Sequence, residues 1–448
     1  MACKICIIGA GSAVFSINLV KDICINKNFR GSTVTLMDIN EDRLKEIYGL
    51  CSRYAEEMEA DITVEKTMDR REAMQGADFV LNVALDYGHD RFKQGVRVAE
   101  KNGYHFGGSL HIVHDEGFFI NFHQLKLMES ILLDMLEICP KAYYILVANP
   151  VQAGVTYLQR KYKNAKIIGM CHGFNGIYNV TDAMGLVKED VSFEIAGVNH
   201  FIWLTSFRYK GADGYRLLDD WLENGYGDFA KNIRKSSMLG KKPIDLYRRF
   251  GLFPIGDTAN PGGGAWGWEY HSDKETEEMY GEDPKGWYDG YFTLCDRHIA
   301  QIRAAVEDKT VKVSDVFSSL PSSEPMIPLI EGLAFDVENK VIVNILNDGG
   351  YMKGMPQDYE VEIAAIVNKN GVKPIHNNGL PKPIMSHLLR DRVASVETEL
   401  AAFETHRKDY LLDLILMDPW TSSRQQAENL LQDIFNMPCN ADMKMYYI

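Results

Sequence analysis

Two short motifs hold residue types that could bind a divalent metal ion. Cys171-His172-Gly173-Phe174 follows an apolar segment, and Gly197-Val198-Asn199-His200 lies further along the chain. A thiolate and an imidazole are good ligands for such an ion, and two protein ligands leave the other positions open to substrate oxygens and water. We therefore expect a metal site at Cys171 and His200. The alternative is that Cys171 is a buried thiol and His200 a hydrogen-bonded core histidine.

Histidines are concentrated in one stretch of the chain, beside two acids. The stretch follows the fourth predicted strand, so we expect it to lie over the ligand-binding edge of a sheet. We take His114, Asp115 and Glu116 as its best candidates for contacting a ligand or a metal-bound water. The other histidines of the stretch are expected on the surface or within helices, and they are His89, His105, His111 and His123.

A glycine-rich turn near the start of the chain could bind a dinucleotide. Gly9-Ala10-Gly11-Ser12 follows a predicted strand and opens a helix, where glycines let the backbone approach a pyrophosphate at the helix N-terminus. Val14 stands where the usual third glycine would be. Asp38 ends the second strand, where a carboxylate accepts hydrogen bonds from ribose hydroxyls and repels a 2′-phosphate, which favours NAD over NADP. The alternative is a similar turn that binds no dinucleotide.

Asn149 ends the fifth predicted strand, just before Pro150. Ligands of doubly wound sheets bind at the carboxyl ends of the strands. The Asn149 amide can donate and accept hydrogen bonds, so we predict that it contacts the nicotinamide side of the cofactor or a sugar hydroxyl. We also predict substrate contacts from His114, Asp115 and Asn199. For Asn149 the alternative is a turn residue before proline.

Strands and helices alternate in the first part of the chain. This order predicts βαβ units, and hence an α/β fold whose Rossmann-like, doubly wound parallel sheet spans residues 1–172. The predicted strands are Lys4–Ile8, Thr33–Met37, Ile62–Lys66, Ala77–Ala84, Tyr143–Ala148 and Lys166–Met170. The predicted helices are Ser12–Ile25, Glu41–Met58 and Phe122–Cys139.

Beyond residue 172 the regular alternation ends. We predict an α+β substrate- and metal-binding domain over residues 173–448, packed closely against the first as in the lactate and malate dehydrogenase-like fold, with a cleft between them. Its predicted strands include Val191–Ala196, Phe201–Phe207 and Val341–Leu346. Its predicted helical segments include Leu217–Phe250, Ile384–Phe403 and Arg424–Phe435.

Residues Phe253–His271 are rich in glycine and tryptophan and are predicted to form a loop. The run from Gly262 to Trp268 combines mobile glycines with flat indole rings that could stack on a sugar. Closure over the substrate, which would exclude water, and packing against the core or a second subunit are equally compatible with this composition.

Composition excludes several classes of function. The 448 residues carry a formal net charge of −14, which argues against nucleic-acid binding. No apolar run of about 18 residues predicts a membrane span, and the N-terminus lacks the pattern of a signal peptide, so a cytoplasmic location is expected. The eight cysteines are scattered and are expected to be reduced thiols.

Taken together, these motifs resemble glycoside hydrolase family 4. The resemblance rests on Gly9-Ala10-Gly11-Ser12, Asn149-Pro150, Cys171-His172-Gly173-Phe174 and Asn199-His200. It covers the first 205 residues well and continues more weakly into Phe250–Asp257. The family is an NAD-dependent exception to hydrolysis by two carboxylates.

The resemblance implies a redox-neutral glycosidase reaction. A hydride leaves C3 of the sugar for NAD, a base removes the acidified C2 proton while a metal stabilises the enediolate, and the C1 leaving group departs by elimination. Water then adds and the hydride returns. The family's metal ligands match Cys171 and His200, and the metal is usually Mn²⁺, with the thiol kept reduced.

The resemblance also suggests the acid and the base. His172 stands where the family often has an acidic aspartate, and it either protonates the leaving group or binds a hydroxyl. Asp257, in a Gly-Asp pair, is the expected base, with Tyr247 and Tyr270 as the other candidates. A turn residue is the alternative for Asp257.

The sequence His172-Gly173-Phe174 is similar to that of family members that act on uronides. The resemblance favours α-glucuronides as substrates, with α-galacturonides next. A substrate carboxylate needs a cation, for which Arg91, Lys93, Arg248 and Arg249 are candidates. The sequence decides neither the sugar configuration nor the anomer or aglycone. A homodimer or homotetramer is expected from the resemblance alone.

Two other functions fit part of the pattern. An NAD-dependent 2-hydroxy-acid dehydrogenase would share the glycine-rich turn, but it would not need Cys171. A non-catalytic NAD-binding sensor would need neither Cys171 nor His200.

Overall fold

The computed structural model describes residues 2–12, 15–86, 88–232, 238–260, 267–318, 320–322 and 324–448, except for the side chain of Asn232. Thirteen strands of this described chain form one sheet. They are β1 (Lys4–Ile8), β2 (Ser32–Met37), β3 (Ile62–Thr67), β4 (Phe79–Asn82), β5 (Tyr143–Leu146), β6 (Lys166–Gly169), β7 (Val191–Val198), β8 (Phe201–Tyr209), β9 (Ala212–Asp213), β10 (Phe253–Ile255), β11 (Asn339–Leu346), β12 (Glu360–Asn368) and β13 (Gly371–Pro374).

Half of the sheet is parallel and has the strand order β3-β2-β1-β4-β5-β6. This is the strand order of the Rossmann fold, in which the order of strands along the sheet reverses between β1 and β4, and ligands bind at that point. Ile5, Cys6 and Ile7 of β1 are fully buried, as expected for a central strand covered by helices on both faces. The predicted α/β fold class is confirmed.

The sheet continues through an antiparallel half. Beyond β6 the order is β11, β12, β7, β8 and β10, while β13 pairs with β12 and β9 with β8. The two halves join where Gly169 of β6 lies opposite Asn344 of β11. This junction brings the carboxyl ends of β5 and β6 next to the second half of the chain. The domain boundary at residues 172 and 173 stays a prediction.

Helices cover both halves, and several begin with recognisable capping residues. For α2, the Asn40 side chain accepts a hydrogen bond from the Arg43 N–H, and Glu41 and Asp42 complement the positive end of the helix dipole. The described α-helices are α1 (Ser16–Ile25), α2 (Glu41–Glu57), α3 (Arg70–Ala73), α4 (Asp90–Lys101), α5 (Leu110–Val113), α6 (Phe118–Ile138), α7 (Val151–Lys161), α8 (Gly176–Ala183), α9 (Gly214–Asn224), α10 (Tyr226–Asn232), α11 (Lys241–Phe250), α12 (Lys274–Tyr280), α13 (Pro284–Glu307), α14 (Val313–Val316), α15 (Met326–Phe335), α16 (Lys382–His387), α17 (Ala394–Thr405), α18 (Lys408–Leu416), α19 (Arg424–Phe435) and α20 (Ala441–Tyr446).

Several predicted segments differ from the structure, and three of the differences bear on the site. The helix predicted over Ser12–Ile25 begins at Ser16, since residues 9–12 form the turn that leaves β1. The loop predicted over Phe253–His271 opens with β10, which pairs with β8 and gives this segment a fixed place at the sheet edge. The helix predicted over Ile384–Phe403 contains a π-helical stretch at Leu388–Val393, a feature often found near functional sites.

The larger apolar core packs on the sheet and joins the helices of both halves of the chain. A smaller cluster lies around β7, β8 and β10 and includes Ile202, Leu204 and Phe253. In the part of the chain that the structure describes, no helix is long and apolar enough to cross a membrane.

Candidate active site

A two-residue turn between β7 and β8 carries Asn199 and His200. Val198 pairs with Phe201 across the hairpin, so the chain reverses within these two residues. His200 has a φ of 62°, the left-handed conformation that tight turns require. Gly197 permits the close approach, because a Cβ there would lie 1.9 Å from the carbonyl oxygen of Phe201. The turn therefore holds His200 in one backbone position, with its side chain buried.

One ring nitrogen of His200 faces a buried carboxylate. Nδ1 lies 2.5 Å from Oε1 of Glu116, and Oε2 of Glu116 accepts a hydrogen bond from Nη2 of Arg392 at 2.7 Å. Arg392 is fully buried and also donates to the Gln152 amide oxygen (2.5 Å) and to the carbonyl of Asn199 (3.2 Å). Burial alone would raise the pKa of Glu116, but Arg392 and His200 outweigh it and hold that pKa well below its ordinary value.

The other ring nitrogen of His200 faces the predicted base and the predicted thiol ligand. Nε2 lies 3.2 Å from Oδ2 of Asp257, which follows β10, and the Cys171 thiol lies beside the same ring. Burial would lower the pKa of His200, but the carboxylates of Asp257 and Glu116 raise it well above its ordinary value. Burial, assisted by Glu362, raises the pKa of Cys171. The structure thus brings Cys171, His200 and Asp257 together.

His114, Asp115 and Asn149 form a second polar group beside the first. Nδ1 of His114 lies 2.5 Å from Oδ1 of Asp115, and the Asn149 amide donates to Oδ2 of Asp115 at 3.2 Å. Nε2 of His114 contacts the Tyr288 hydroxyl at 3.0 Å. Despite burial, the charge of His114 lowers the pKa of Asp115. Asp115 is adjacent to Glu116 in the chain, so this second polar group lies on the same side of the site as the first.

Asn199 is held by two buried glutamates of β12. Its backbone N–H donates to Oε2 of Glu360 (3.2 Å), and its side-chain amide donates to Oε2 of Glu362 (3.3 Å). The Asn344 amide, once oriented to donate, reaches Glu360 at 2.8 Å and Glu362 at 3.1 Å. Burial raises the pKa of Glu362 to about 8 and that of Glu360 well above its ordinary value. Oδ1 of Asn199 is buried and has no partner among the described residues, so it is free to accept a hydrogen bond from a ligand.

The glycine-rich turn after β1 packs closely against Ala84 and Asp38. Gly9 has a φ of 86°, and a Cβ there would lie 2.5 Å from the backbone of Ala84. The Gly11 N–H donates to Oδ2 of Asp38 at 2.7 Å, and each oxygen of that carboxylate keeps a lone pair for a further donor such as a ribose hydroxyl. The Phe15 ring lies 5.8 Å from the His172 ring, which places the turn beside the motif that carries Cys171.

His172 lies next to Asp257 and Cys171. The side chain of His172 is solvent-exposed, but desolvation by the surrounding protein lowers its pKa, although the charge of Asp257 opposes this effect. A Cβ on the following Gly173 would come within 3.6 Å of the Cys171 sulfur, and within 3.7 Å of Gly256. The β6 end and the loop that carries Asp257 are therefore in direct contact.

The donor set fits a divalent transition metal. A thiol and an imidazole in mutual contact, with the Asp257 carboxylate beside them, offer the mixed sulfur, nitrogen and oxygen ligands that such ions accept. Asp115, Glu116 and His200 also each bring one potential ligand atom to within 4.8 Å of one another. Because Glu116 is already bound to Arg392, its place in this set is to orient the His200 ring.

Most of the other candidates from the sequence have partners elsewhere. The Tyr247 hydroxyl donates to Asp219, and the Tyr270 hydroxyl donates to Asp245, both at 2.7 Å. Nη2 of Arg91 lies 3.0 Å from Oδ2 of Asp86, Lys93 lies over the Phe292 ring, and Arg249 contacts Tyr270. Arg248 lies at the end of α11. Of the tryptophan-rich run, residues 262–266 lie outside the described residues, while Trp268 is exposed.

Several residues of the site were not predicted from the sequence. Arg392, Tyr288 and Gln152 reach it from separate helical segments, and no local pattern marks them. Glu360 and Glu362 carried a detectable signal, because two carboxylates at alternate positions face one side of an otherwise apolar strand.

Sequence profiles of a known family match almost the whole chain. The profile described as "Family 4 glycosyl hydrolase" matches residues 4–187. The profile of the C-terminal domain of the same family matches residues 195–421.

Individual proteins resemble this chain along nearly its full length. An α-galactosidase from Bacillus subtilis (strain 168) is 24% identical, with 97% of this chain and 96% of that protein covered. An α-galacturonidase from Thermoanaerobacterium saccharolyticum is 25% identical, with 95% and 94% covered. A 6-phospho-α-glucosidase from gut microorganisms, solved in complex with NAD and Mn²⁺, superposes with a TM-score of 0.79 at 17% identity, covering 100% of this chain and 99% of that one. At this identity the structural likeness shows the fold.

Proposed function

The chain belongs to glycosyl hydrolase family 4 and is a glycoside hydrolase, and from this premise we propose that it hydrolyses α-glycosides of uronic acids with the help of NAD and Mn²⁺. The observation that carries the proposal is that Cys171, His200 and Asp257 meet at the ends of β6, β7 and β10, with Glu116 on the other side of the His200 ring. A metal ligand pair and a carboxylate base then lie on one wall, beside the dinucleotide turn.

In this proposal the chain's own residues hold both cofactors. Gly9, Gly11 and Ser12 accommodate the pyrophosphate and Asp38 accepts hydrogen bonds from the ribose. Cys171 and His200 bind the metal. When bound, NAD supplies a transient oxidation at C3 that acidifies the C2 proton, and the divalent cation draws negative charge from the sugar oxygens.

The remaining residues bind the sugar and move protons. Asp257 accepts the C2 proton, since its Oδ2 lies on the His200 side of the site and both tyrosine alternatives are bound to other carboxylates. His172 contacts the leaving-group oxygen, as its acid or as its hydrogen-bond partner. Asn149 and Asn199 bind sugar hydroxyls, and Oδ1 of Asn199 is available for this contact. His114 and Asp115 complete the pocket.

Two observations support a uronide substrate. The sequence after the metal-binding cysteine is His172-Gly173-Phe174, the pattern that resembles uronide-specific members. A relative named as an α-galacturonidase aligns over 95% of this chain. Because an α-galactosidase aligns equally well, the choice between acidic and neutral sugars has to be measured. The dehydrogenase and sensor alternatives are disfavoured by membership in a family of glycosidases. A cytoplasmic location and a homodimer or homotetramer stay predictions.

The test is a cofactor-omission assay on a panel of aryl glycosides. Purified protein is incubated with NAD, Mn²⁺ and a thiol reductant, and p-nitrophenol release is followed from the α-glucuronide, α-galacturonide, α-galactoside, α-glucoside and β-glucuronide. We expect release from an α-uronide only when all three additions are present. Release from a neutral glycoside alone would refute the substrate class. No release from any glycoside, with NADH accumulating on a 2-hydroxy acid, would refute the proposed function.

A further inference from the structure

A buried chain of polar contacts leads away from Asp257 on the side opposite His200. Oδ1 of Asp257 accepts a hydrogen bond from Nδ2 of Asn260 at 2.7 Å. Asn260 is buried, and its backbone carbonyl accepts a hydrogen bond from Nζ of Lys242 at 2.6 Å. One carboxylate oxygen of Asp257 is thus fixed by Asn260, and the other is left at 3.2 Å from Nε2 of His200.

Lys242 is a fully buried ammonium at the start of α11. It lies 2.7 Å from Oε2 of Glu282, which is itself buried. Burying such charges costs free energy unless they are paired and hydrogen-bonded, so the Lys242 ammonium and the Glu282 carboxylate must stay in contact. The pairing with Glu282 holds the Lys242 ammonium in place, and from there it donates to the Asn260 carbonyl.

A buried histidine also contacts the Lys242–Glu282 pair. Nε2 of His271 lies 3.3 Å from Oε2 of Glu282, and Nδ1 of His271 lies 3.2 Å from Oε1 of Glu277. Tyr270, next to His271, donates to Asp245 of α11 at 2.7 Å. Helix α11 therefore contacts the described chain both before residue 261, through Asn260, and after residue 266, through Tyr270.

We propose that Asn260 and the buried Lys242–Glu282 pair are positioning residues for Asp257. In this role they act on Asp257, and not on the substrate or a cofactor. Asn260 fixes the rotation of the Asp257 carboxylate, and Lys242 fixes Asn260 through its backbone. This inference rests on the proposed role of Asp257 as the base that removes the C2 proton.

Base placement predicts a specific kinetic signature. Displacing a reacting group by about 1 Å can cost about 100-fold in rate. Replacement Asn260→Ala removes the hydrogen bond to Asp257 and should lower kcat by about 10- to 100-fold, with KM changed less than about threefold. The isotope effect of a C2-deuterated substrate should rise, because proton removal becomes slower, while that of a C3-deuterated substrate should fall.

Lys242 needs a charge-balanced variant, since replacing it alone would leave Glu282 as an uncompensated buried charge. The double variant Lys242→Met/Glu282→Gln removes both charges together. We expect the same three changes as for Asn260→Ala, namely a lower kcat, a larger isotope effect at C2 and a smaller isotope effect at C3. A matched control is Asn102→Ala, which removes an asparagine–aspartate hydrogen bond to Asp433 (3.0 Å) outside this site and should behave as wild type.

The experiment combines these isotope effects with crystal structures of the wild type and of Asn260→Ala. The proposal predicts a larger C2 effect and a rotated Asp257 carboxylate, with Oδ2 moved from its 3.2 Å distance to His200. A fall in kcat with unchanged isotope effects, or unchanged kinetics, would overturn it. If the wild type hydrolyses no glycoside, the proposed function fails by itself, and the crystallographic position of Asp257 alone then decides whether Asn260 positions it.

Discussion

Nδ1 of His200 lies 2.5 Å from Oε1 of Glu116, while the opposite nitrogen of the same ring faces Asp257 at 3.2 Å. A carboxylate behind a ligating imidazole fixes the ring tautomer and orientation, and Glu116 is in turn held by Arg392. Nε2 of His200, which faces Asp257, is therefore the nitrogen available to a metal ion.

Glu116→Gln should weaken Mn²⁺ binding by about 10- to 100-fold, the usual cost of losing such a partner. NAD affinity should stay near the wild-type value, since the glycine-rich turn is untouched. Electron paramagnetic resonance titration of free Mn²⁺ measures the first quantity and calorimetry the second. The control is Glu129→Gln. Glu129 lies on α6, and this variant loses an ion pair with Lys161. Equal Mn²⁺ affinity in both variants would argue against this role of Glu116.

Cys171→Ser should abolish hydrolysis and Mn²⁺ binding while leaving NAD binding nearly intact. The hydroxyl is a far weaker ligand than a thiolate for a transition metal. The control is Cys439→Ser, a partly buried thiol that contacts Asn440 outside the site. If Cys171→Ser keeps full metal-dependent activity, the assigned ligand pair is wrong.

Asp38→Asn should raise the Kd for NAD by about 10- to 100-fold, because hydrogen bonds to a charged acceptor contribute about 1.5–3 kcal/mol. The preference for NAD over NADP should narrow, since the repulsion of a 2′-phosphate is lost. Fluorescence titration with both nucleotides measures the change, with the exposed Asp42→Asn as control. An unchanged Kd for NAD would remove Asp38 from the nucleotide site.

Glu399 should make the fold less stable at alkaline pH. Burial, assisted by Glu116, raises the pKa of Glu399 to about 8 from an ordinary value of 4.5. Between these pH values the folded state holds a proton that the unfolded state does not, so stability falls as pH rises through this window and levels off above it. The effect is on the order of 1.4 kcal/mol per unit of pKa shift.

Glu399→Gln removes this titration but keeps an acceptor for the amide of Asn121, which donates to Oε2 at 3.0 Å. The difference in melting temperature between this variant and the wild type should therefore be more in favour of the variant at pH 8.5 than at pH 5. Scanning calorimetry at fixed rate measures the difference, with the exposed Glu404→Gln as control. A variant with the same pH dependence as wild type would show that Glu399 is ionised in the fold.

The sequence was most informative where structure is local. The apolar run at Lys4–Ile8 became β1 without change, because a central parallel strand is buried on both faces and reads as a continuous apolar segment. The pairing of β6 with β11 could not be predicted, since Gly169 and Asn344 are distant in the chain and no turn links their strands.

The same distinction applies to the candidate site. Cys171 and His200 stand in recognisable motifs after β6 and β7, but β11 and β12 lie between these strands in the sheet, so the sequence predicted the two residues and not how they are brought together. Arg392 reaches Glu116 from a π-helical turn 276 residues away, and Lys242 reaches the Asp257 loop from the opposite side. Such contacts depend on tertiary packing, so neither composition nor spacing reveals them.

Hydrolysis in D₂O tests the central claim, removal of the C2 proton during a redox-neutral reaction, most directly. The side chain of Asp257 is 25% exposed, so a proton taken from C2 exchanges with solvent before one is returned. With NAD and Mn²⁺ present, we predict that the released uronic acid carries deuterium at C2 by NMR, with no net NADH. A released sugar with only hydrogen at C2 would contradict the account and would favour direct displacement at C1.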